Sequence, residues 1–155
     1  MSAIAIRPLP APLPNVASLP PAAVREVVAD EPDAYPCRRC LTDALPGERL
    51  LLLSYDPFTG DSPYRQPGPI FVHARDCAPD LDLTEVPEQL TRRRLSVRSF
   101  DAEHLMLGGE VVDGVGLEHR ASELLADRKV AYLHLHNAGP GCFAARVDRA
   151  DTVGP

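Results

Sequence analysis

The chain has no tryptophan, and only four phenylalanines and four tyrosines, among 155 residues. A core with so few large rings has to be aliphatic. Lys129 is the sole lysine among 16 basic residues, the rest being arginine. Abundant Ala, Arg, Leu, Pro and Gly with scarce Lys, Ile and Asn is the usage of a GC-rich genome, which accounts for the arginines without invoking a ligand. No run approaches the 18 or more apolar residues of a membrane span. The opening MSAIAIRPLPAPLP lacks the charged start and unbroken apolar stretch of a secretory signal. The expected location is the cytoplasm, with no membrane partner. The net charge of -6 has the wrong sign for binding phosphate backbones without regard to sequence, so nucleic acid is not an expected partner. Walker, GxSxG and HExxH patterns are absent.

What is present describes a folded domain. Hydrophobic residues make up 45% and charged residues 25%, close to globular averages. The length suits a single domain that buries roughly 70% of its unfolded surface. Seventeen prolines are more than twice the usual share of about 5%. Residues 1–20 read as a Pro-rich arm, with AIAIR (3–7) as an edge strand and Pro8–Pro14 as a linker. Residues 21–149 form the globular core, and 150–155 a frayed tail. Ser18 is placed to cap a short helix that carries Val24, Val27 and Val28 on one face and stops before Pro32. Strands are expected at Glu48–Tyr55, Ile70–Arg75, Leu95–Phe100 and Leu105–Val112, with Gly108-Gly109 marking a turn or bulge in the last. Leu117–Arg128 reads as an amphipathic helix with apolar residues at 117, 121, 124 and 125. Val130–His136 and Cys142–Arg149 flank the turn Asn137–Gly141 as a hairpin. These elements predict an α+β domain with a largely antiparallel sheet and two short helices.

Three constellations carry chemistry. The first combines Cys37-Arg38-Arg39-Cys40 with His73 and Cys77. Zinc favours tetrahedral sulfur and nitrogen ligands brought together as two close pairs, and four protein ligands would make the ion a structural staple. A redox CxxC pair is a second reading, though it lacks a βαβ setting. Unligated packing cysteines are the default in a chain not expected to form disulfides.

The second constellation is the hairpin. A symmetric five-residue turn sets His136 opposite Cys142, His134 opposite Ala144 and Tyr132 opposite Arg146. One face then carries Tyr132, His134, His136, Cys142, Arg146 and Asp148. A thiol beside an imidazole is the starting geometry for a cysteine nucleophile; Cys142 would attack, His136 act as base and Arg146 orient an acidic substrate. The alternatives are a non-catalytic ligand pocket using Tyr132 and His134, and a plain solvent face. The third constellation is the loop Asp56–Pro69, fourteen residues with four Pro and two Gly. Connections of that length are often binding loops; Phe58, Tyr64 and Arg65 would stack on and clamp a small anion. The run Arg92-Arg93-Arg94 reads as a solvated turn, and Gly114-Val115-Gly116 lacks the order of a dinucleotide site.

Tyr35-Pro36-Cys37-Arg38, Pro46-Gly47-Glu48, Ser62-Pro63-Tyr64-Arg65, Ile70-Phe71-Val72, His136-Asn137-Ala138 and Gly141-Cys142-Phe143-Ala144 together resemble a small bacterial family known as domain of unknown function 1203. The resemblance runs from about Val24 to Arg149. It places Cys37 and the His136–Cys142 hairpin within the family pattern and leaves Cys40, His73 and Cys77 as a subgroup feature. It implies no activity, cofactor or catalytic residue. Two functions are therefore expected from the residues: a non-catalytic protein that binds a small anionic ligand or partner, with a structural zinc, or a small cysteine-dependent enzyme. A module that offers a sheet edge to a protein partner is a third.

Overall fold

The structure is a computed structural model that describes residues 3–9, 19, 20, 23–80, 82 and 84–150. The expected Ser18 cap, most of the Pro8–Pro14 linker and the tail 151–155 lie outside the described residues. Among the described residues, eight strands form two antiparallel sheets. The larger has the order β1 (Ile4–Arg7), β8 (Phe143–Arg149), β7 (Tyr132–Asn137), β5 (Arg94–Phe100) and β6 (Met106–Asp113). The smaller has the order β2 (Val24–Val28), β3 (Arg49–Tyr55) and β4 (Gly68–His73). Two helices complete the α+β architecture, α1 (Glu88–Thr91) and α2 (Leu117–Ala126). No helix among the described residues is long and apolar enough to cross a membrane.

Alternation explains the large sheet. Leu95 and Val97 of β5, Leu133 and Leu135 of β7, and Ala145 and Val147 of β8 point to one face, where α2 covers them with Leu117, Ala121 and Leu125. The opposite face carries Arg98, Phe100, Tyr132, His134 and His136. Gly114 lets α1 dock beside α2: a Cβ there would lie 1.9 Å from the Leu90 carbonyl oxygen, so only glycine permits this approach. Of Gly114-Val115-Gly116, Gly114 is thus the glycine that a backbone contact requires.

The helix expected around Val24–Val28 is instead strand β2. Its valines pair with Arg49–Leu53 of β3, where β-branched side chains suit an edge strand better than a helix. The second helix lies instead at Glu88–Thr91, one turn following Pro87. Gly108 and Gly109 sit inside β6 opposite Ser99 and Arg98, and the ladder skips Leu107, so the irregularity falls one residue earlier. The basic run Arg92–Arg94 is internally paired: Arg92 and Arg93 hold Asp43, Arg92 also holds Asp33 and Glu88, and Arg94 meets Asp113.

Candidate metal centre and ligand cavities

The turn Cys37–Cys40 is fixed by backbone bonds from Cys37 N–H to the Thr42 carbonyl at 3.0 Å and from Leu41 N–H to the Cys37 carbonyl at 3.1 Å. Leu41 adopts φ 58°, which closes the knuckle. His73 ends β4 and Cys77 follows in the next loop. The ligand atoms of Cys37, Cys40, His73 and Cys77 lie within 4.8 Å of one another. Cys37 Sγ is 3.6 Å from Cys77 Sγ, and Cys40 Sγ is 3.4 Å from His73 Nδ1. Zinc bond lengths of ~2.3 Å to sulfur and ~2.0 Å to nitrogen imply tetrahedral edges of about 3.8 and 3.5 Å. The donor set therefore fits a tetrahedral ion.

The surroundings fit as well. His73 presents Nδ1 to the thiols while Nε2 meets Glu48 Oε1 at 3.2 Å, the carboxylate–imidazole arrangement that fixes a metal-binding tautomer. Glu48 also accepts from the Leu45 backbone N–H at 2.7 Å and from Arg75 at 3.0 Å. That backbone bond, with help from Arg75 and His73, pulls the Glu48 carboxyl down to about 2. A hydrogen bond from Cys40 lowers Cys37 to about 7, while the same contact and burial push Cys40 up to about 12. Binding an ion would displace the protons these thiols retain, that of Cys40 among them. Glu48 was not singled out from sequence, although its place in Pro46-Gly47-Glu48 hints at a turn; Thr42, whose Oγ1 is 3.0 Å from Cys40 Sγ, was also missed.

The hairpin departs from the symmetric register. Leu135 pairs with Ala145 but His136 pairs with Phe143, so Ala144 is bulged out of the ladder. His134 consequently faces Arg146 rather than Ala144. Phe143 takes the place expected for Cys142, with its ring 5.8 Å from that of His136 and 5.3 Å from that of His134. The expected His136–Cys142 opposition is thereby corrected. His136 Nδ1 donates to the Gly141 carbonyl at 2.9 Å, and Cys142 Sγ instead receives Arg38 Nη2 at 3.1 Å and Asn137 Nδ2 at 3.4 Å. Arg146 is drawn away too, donating to Asp148 at 3.0 Å and lying 4.1 Å over the Tyr132 ring.

The loop after β3 folds back onto the polar face of the large sheet. Phe58 packs edge-on against Phe100 and His134 at 5.1 and 4.8 Å, and Ser62 Oγ donates to the His104 carbonyl at 2.6 Å. Between loop and sheet lies a cavity of about 380 Å3, lined by Phe58, Tyr64, Arg65, Arg98, His134 and His136 among others. Tyr64, Arg65 and His134, three of the four ligand-binding residues expected from sequence, meet there. Tyr132 does not line it; it is buried, stacked on Phe100, with its hydroxyl 2.8 Å from His104 Nδ1.

His134 is the anomaly of this cavity. It is 1% exposed, and neither ring nitrogen has a hydrogen-bond partner. Burial, with the positive charges of His136, Arg146 and Arg98 nearby, lowers it to about 3. Burial likewise lowers His136 to about 4. Both imidazoles are neutral near pH 7; of the arginines around them, Arg65 and Arg146 are paired with Asp56 and Asp148.

Comparison with curated proteins gives no match, and neither does comparison with solved structures. A family model described as "Protein of unknown function (DUF1203)" matches residues 34–149, which takes in the metal cluster, the loop after β3 and the hairpin. The chain belongs to that family.

Proposed function

We propose that the protein is a non-catalytic binding domain, stapled by one zinc ion, that holds a small anion between the 56–67 loop and the polar face of the large sheet. The single observation that carries this reading is His134, a buried imidazole with both nitrogens unpartnered, in a cavity that Arg98 also lines. Burying such a group without partners is costly, and natural structures rarely leave it so without a use. An anion would accept from the imidazole and from Arg98 and Arg65, and would offset the charge of Arg98, to which no carboxylate bonds among the described residues. Arg65, which lines the cavity and is held by Asp56 at 2.6 Å, would serve as a further donor. The acidic net charge and the paired arginine run support a small-molecule or protein partner over nucleic acid.

The zinc assignment rests on the Cys3His donor set and the Glu48–His73 contact. Metal analysis of protein purified without chelator should give about one zinc per chain, and none in Cys40→Ser. For the anion, calorimetric titration with phosphate and with succinate should show saturable binding to the wild type and about tenfold weaker binding to Arg98→Gln. Binding should take up a proton, seen as a heat that depends on buffer ionisation. Absence of saturation by either anion at millimolar concentration, or affinity unchanged in Arg98→Gln, would remove the proposal.

A further inference from the structure

A larger cavity, of about 500 Å3, lies where the Cys37 turn, the middle of β3 and β4, and the β7–β8 turn converge. Its volume and mostly apolar walls, including Leu52 and Phe71, are those of a small-molecule site with a few convergent polar groups. Those groups are Arg38, Arg94, Asn137 and Cys142, with Arg93, which Asp43 holds. Because the bulge at Ala144 gives Phe143 to the His134 side, Cys142 turns toward this second space.

Arg38 is 1% exposed, the largest of the fully buried side chains. Its guanidinium donates to the Phe143 carbonyl at 2.7 Å, to the Pro36 carbonyl at 2.6 Å and to Cys142 Sγ at 3.1 Å. Among the described residues no carboxylate bonds it, so a permanent cation is buried against neutral dipoles and a thiol. Three of its five N–H groups are accounted for. Asn137 is 7% exposed and its Oδ1 has no partner, although its Nδ2 meets Cys142. Arg94 stands on the rim, paired among the described residues only with the exposed Asp113 at 3.2 Å. The cavity thus offers unused positive donors and one unfilled acceptor beside an apolar wall.

We propose that this cavity is a second ligand site, for a small apolar-bodied carboxylate that carries a neighbouring N–H or O–H group, as in N-acyl amino acids and 2-hydroxy acids. The carboxylate takes the spare donors of Arg38 and Arg94. The adjacent N–H or O–H donates to Asn137 Oδ1, and the apolar body lies against Leu52 and Phe71. A bound ligand covers Cys142. The site is independent of the anion pocket at His134 and does not rest on it.

The probes are N-acetylphenylalanine and 2-hydroxyoctanoate, titrated calorimetrically into the full chain. The controls are 3-phenylpropionate, which lacks the extra donor, and N-acetylphenylalaninamide, which lacks the carboxylate. A second readout is the rate of Cys142 alkylation by iodoacetamide, mapped by mass spectrometry. At least one probe should bind and slow alkylation of Cys142 in step with occupancy, and both controls should bind at least tenfold more weakly than N-acetylphenylalanine. Arg94→Gln, an exposed change that spares the fold, should weaken binding about tenfold, whereas Arg65→Gln at the other pocket should leave it unchanged. Failure of both probes to bind at millimolar concentration, equal binding of either control, unprotected Cys142, or sensitivity to Arg65→Gln instead of Arg94→Gln each overturns the assignment.

Discussion

Replacing His134 by leucine should stabilise the protein while removing anion binding at the smaller cavity. Leucine keeps most of the side-chain volume and removes two ring nitrogens that have no partner in the folded state. Relieving a buried unsatisfied polar group is worth about 1–3 kcal/mol. Against this stand the ring contacts to Phe58, Phe100, Tyr132 and Phe143, for which losses of about 0.5–1.5 kcal/mol are usual. A net gain of about 1 kcal/mol at pH 7 corresponds to a rise in Tm of about 2–4 °C for a domain of this size. The pH dependence makes the sharper test. The imidazole is held near 3 when folded, against about 6.5 when unfolded, so the unfolded state binds more protons as pH falls below 6.5. Stability is therefore full above about pH 6.5 and is lost as pH falls toward 3. By pH 5 the loss from His134 alone is about 2 kcal/mol, and His136, held near 4, adds a similar amount. Urea unfolding of wild type and His134→Leu at pH 7.5 and pH 5 measures both effects. The variant should lose only about half as much stability as wild type over that interval. Equal losses would show that His134 is not a buried neutral base, and a destabilised variant at pH 7.5 would show that its nitrogens are satisfied.

Other consequences follow from the metal cluster and the core. Cys40→Ser should lower Tm together with zinc content, read by calorimetry and metal analysis on the same samples. Glu48→Gln keeps the side-chain shape but weakens the carboxylate contact to His73 Nε2; competition with a chromogenic chelator should show metal affinity lower by about 10- to 100-fold. Gly114→Ala forces a methyl group toward the Leu90 carbonyl and should cost about 3 kcal/mol or more in urea unfolding. Breaking the exposed Arg49–Glu26 pair with Glu26→Ala should change stability by about 0–1 kcal/mol, despite its 2.5 Å contact.

What could be read in advance follows from where the signals are strong. Leu50–Leu53, Leu95–Phe100 and the terminal hairpin announced themselves through apolar patterning and turn residues, and the ligand quartet through the narrow chemistry of thiolates and imidazole. Strand β2 did not, because valines at positions 24, 27 and 28 satisfy helical spacing as well as strand propensity, and an edge strand with half-buried valines gives little alternation to choose between them. The four-residue α1 is too short to show a period. The bulge at Ala144 is one extra residue between Phe143 and Ala145, invisible to alternation, yet it decides whether Cys142 or Phe143 stands beside His136. Glu48 and Arg38 act through contacts distant in sequence, with His73 25 positions on and with Cys142 104 positions on, and no spacing rule anticipates either.

Arg38 belongs to the same tight turn as Cys37 and Cys40, and its head group reaches the carbonyl of Phe143 and the sulfur of Cys142. An ion that clamps the turn therefore also sets where the guanidinium stands in the large cavity. Metal binding and the proposed carboxylate binding would share one mechanical element, which would couple their free energies. Thermodynamic reciprocity then requires any carboxylate that binds the zinc-loaded form more tightly to raise zinc affinity by the same factor. Metal retention would in that case report on the supply of a small organic acid, making the staple a gauge as well as a support.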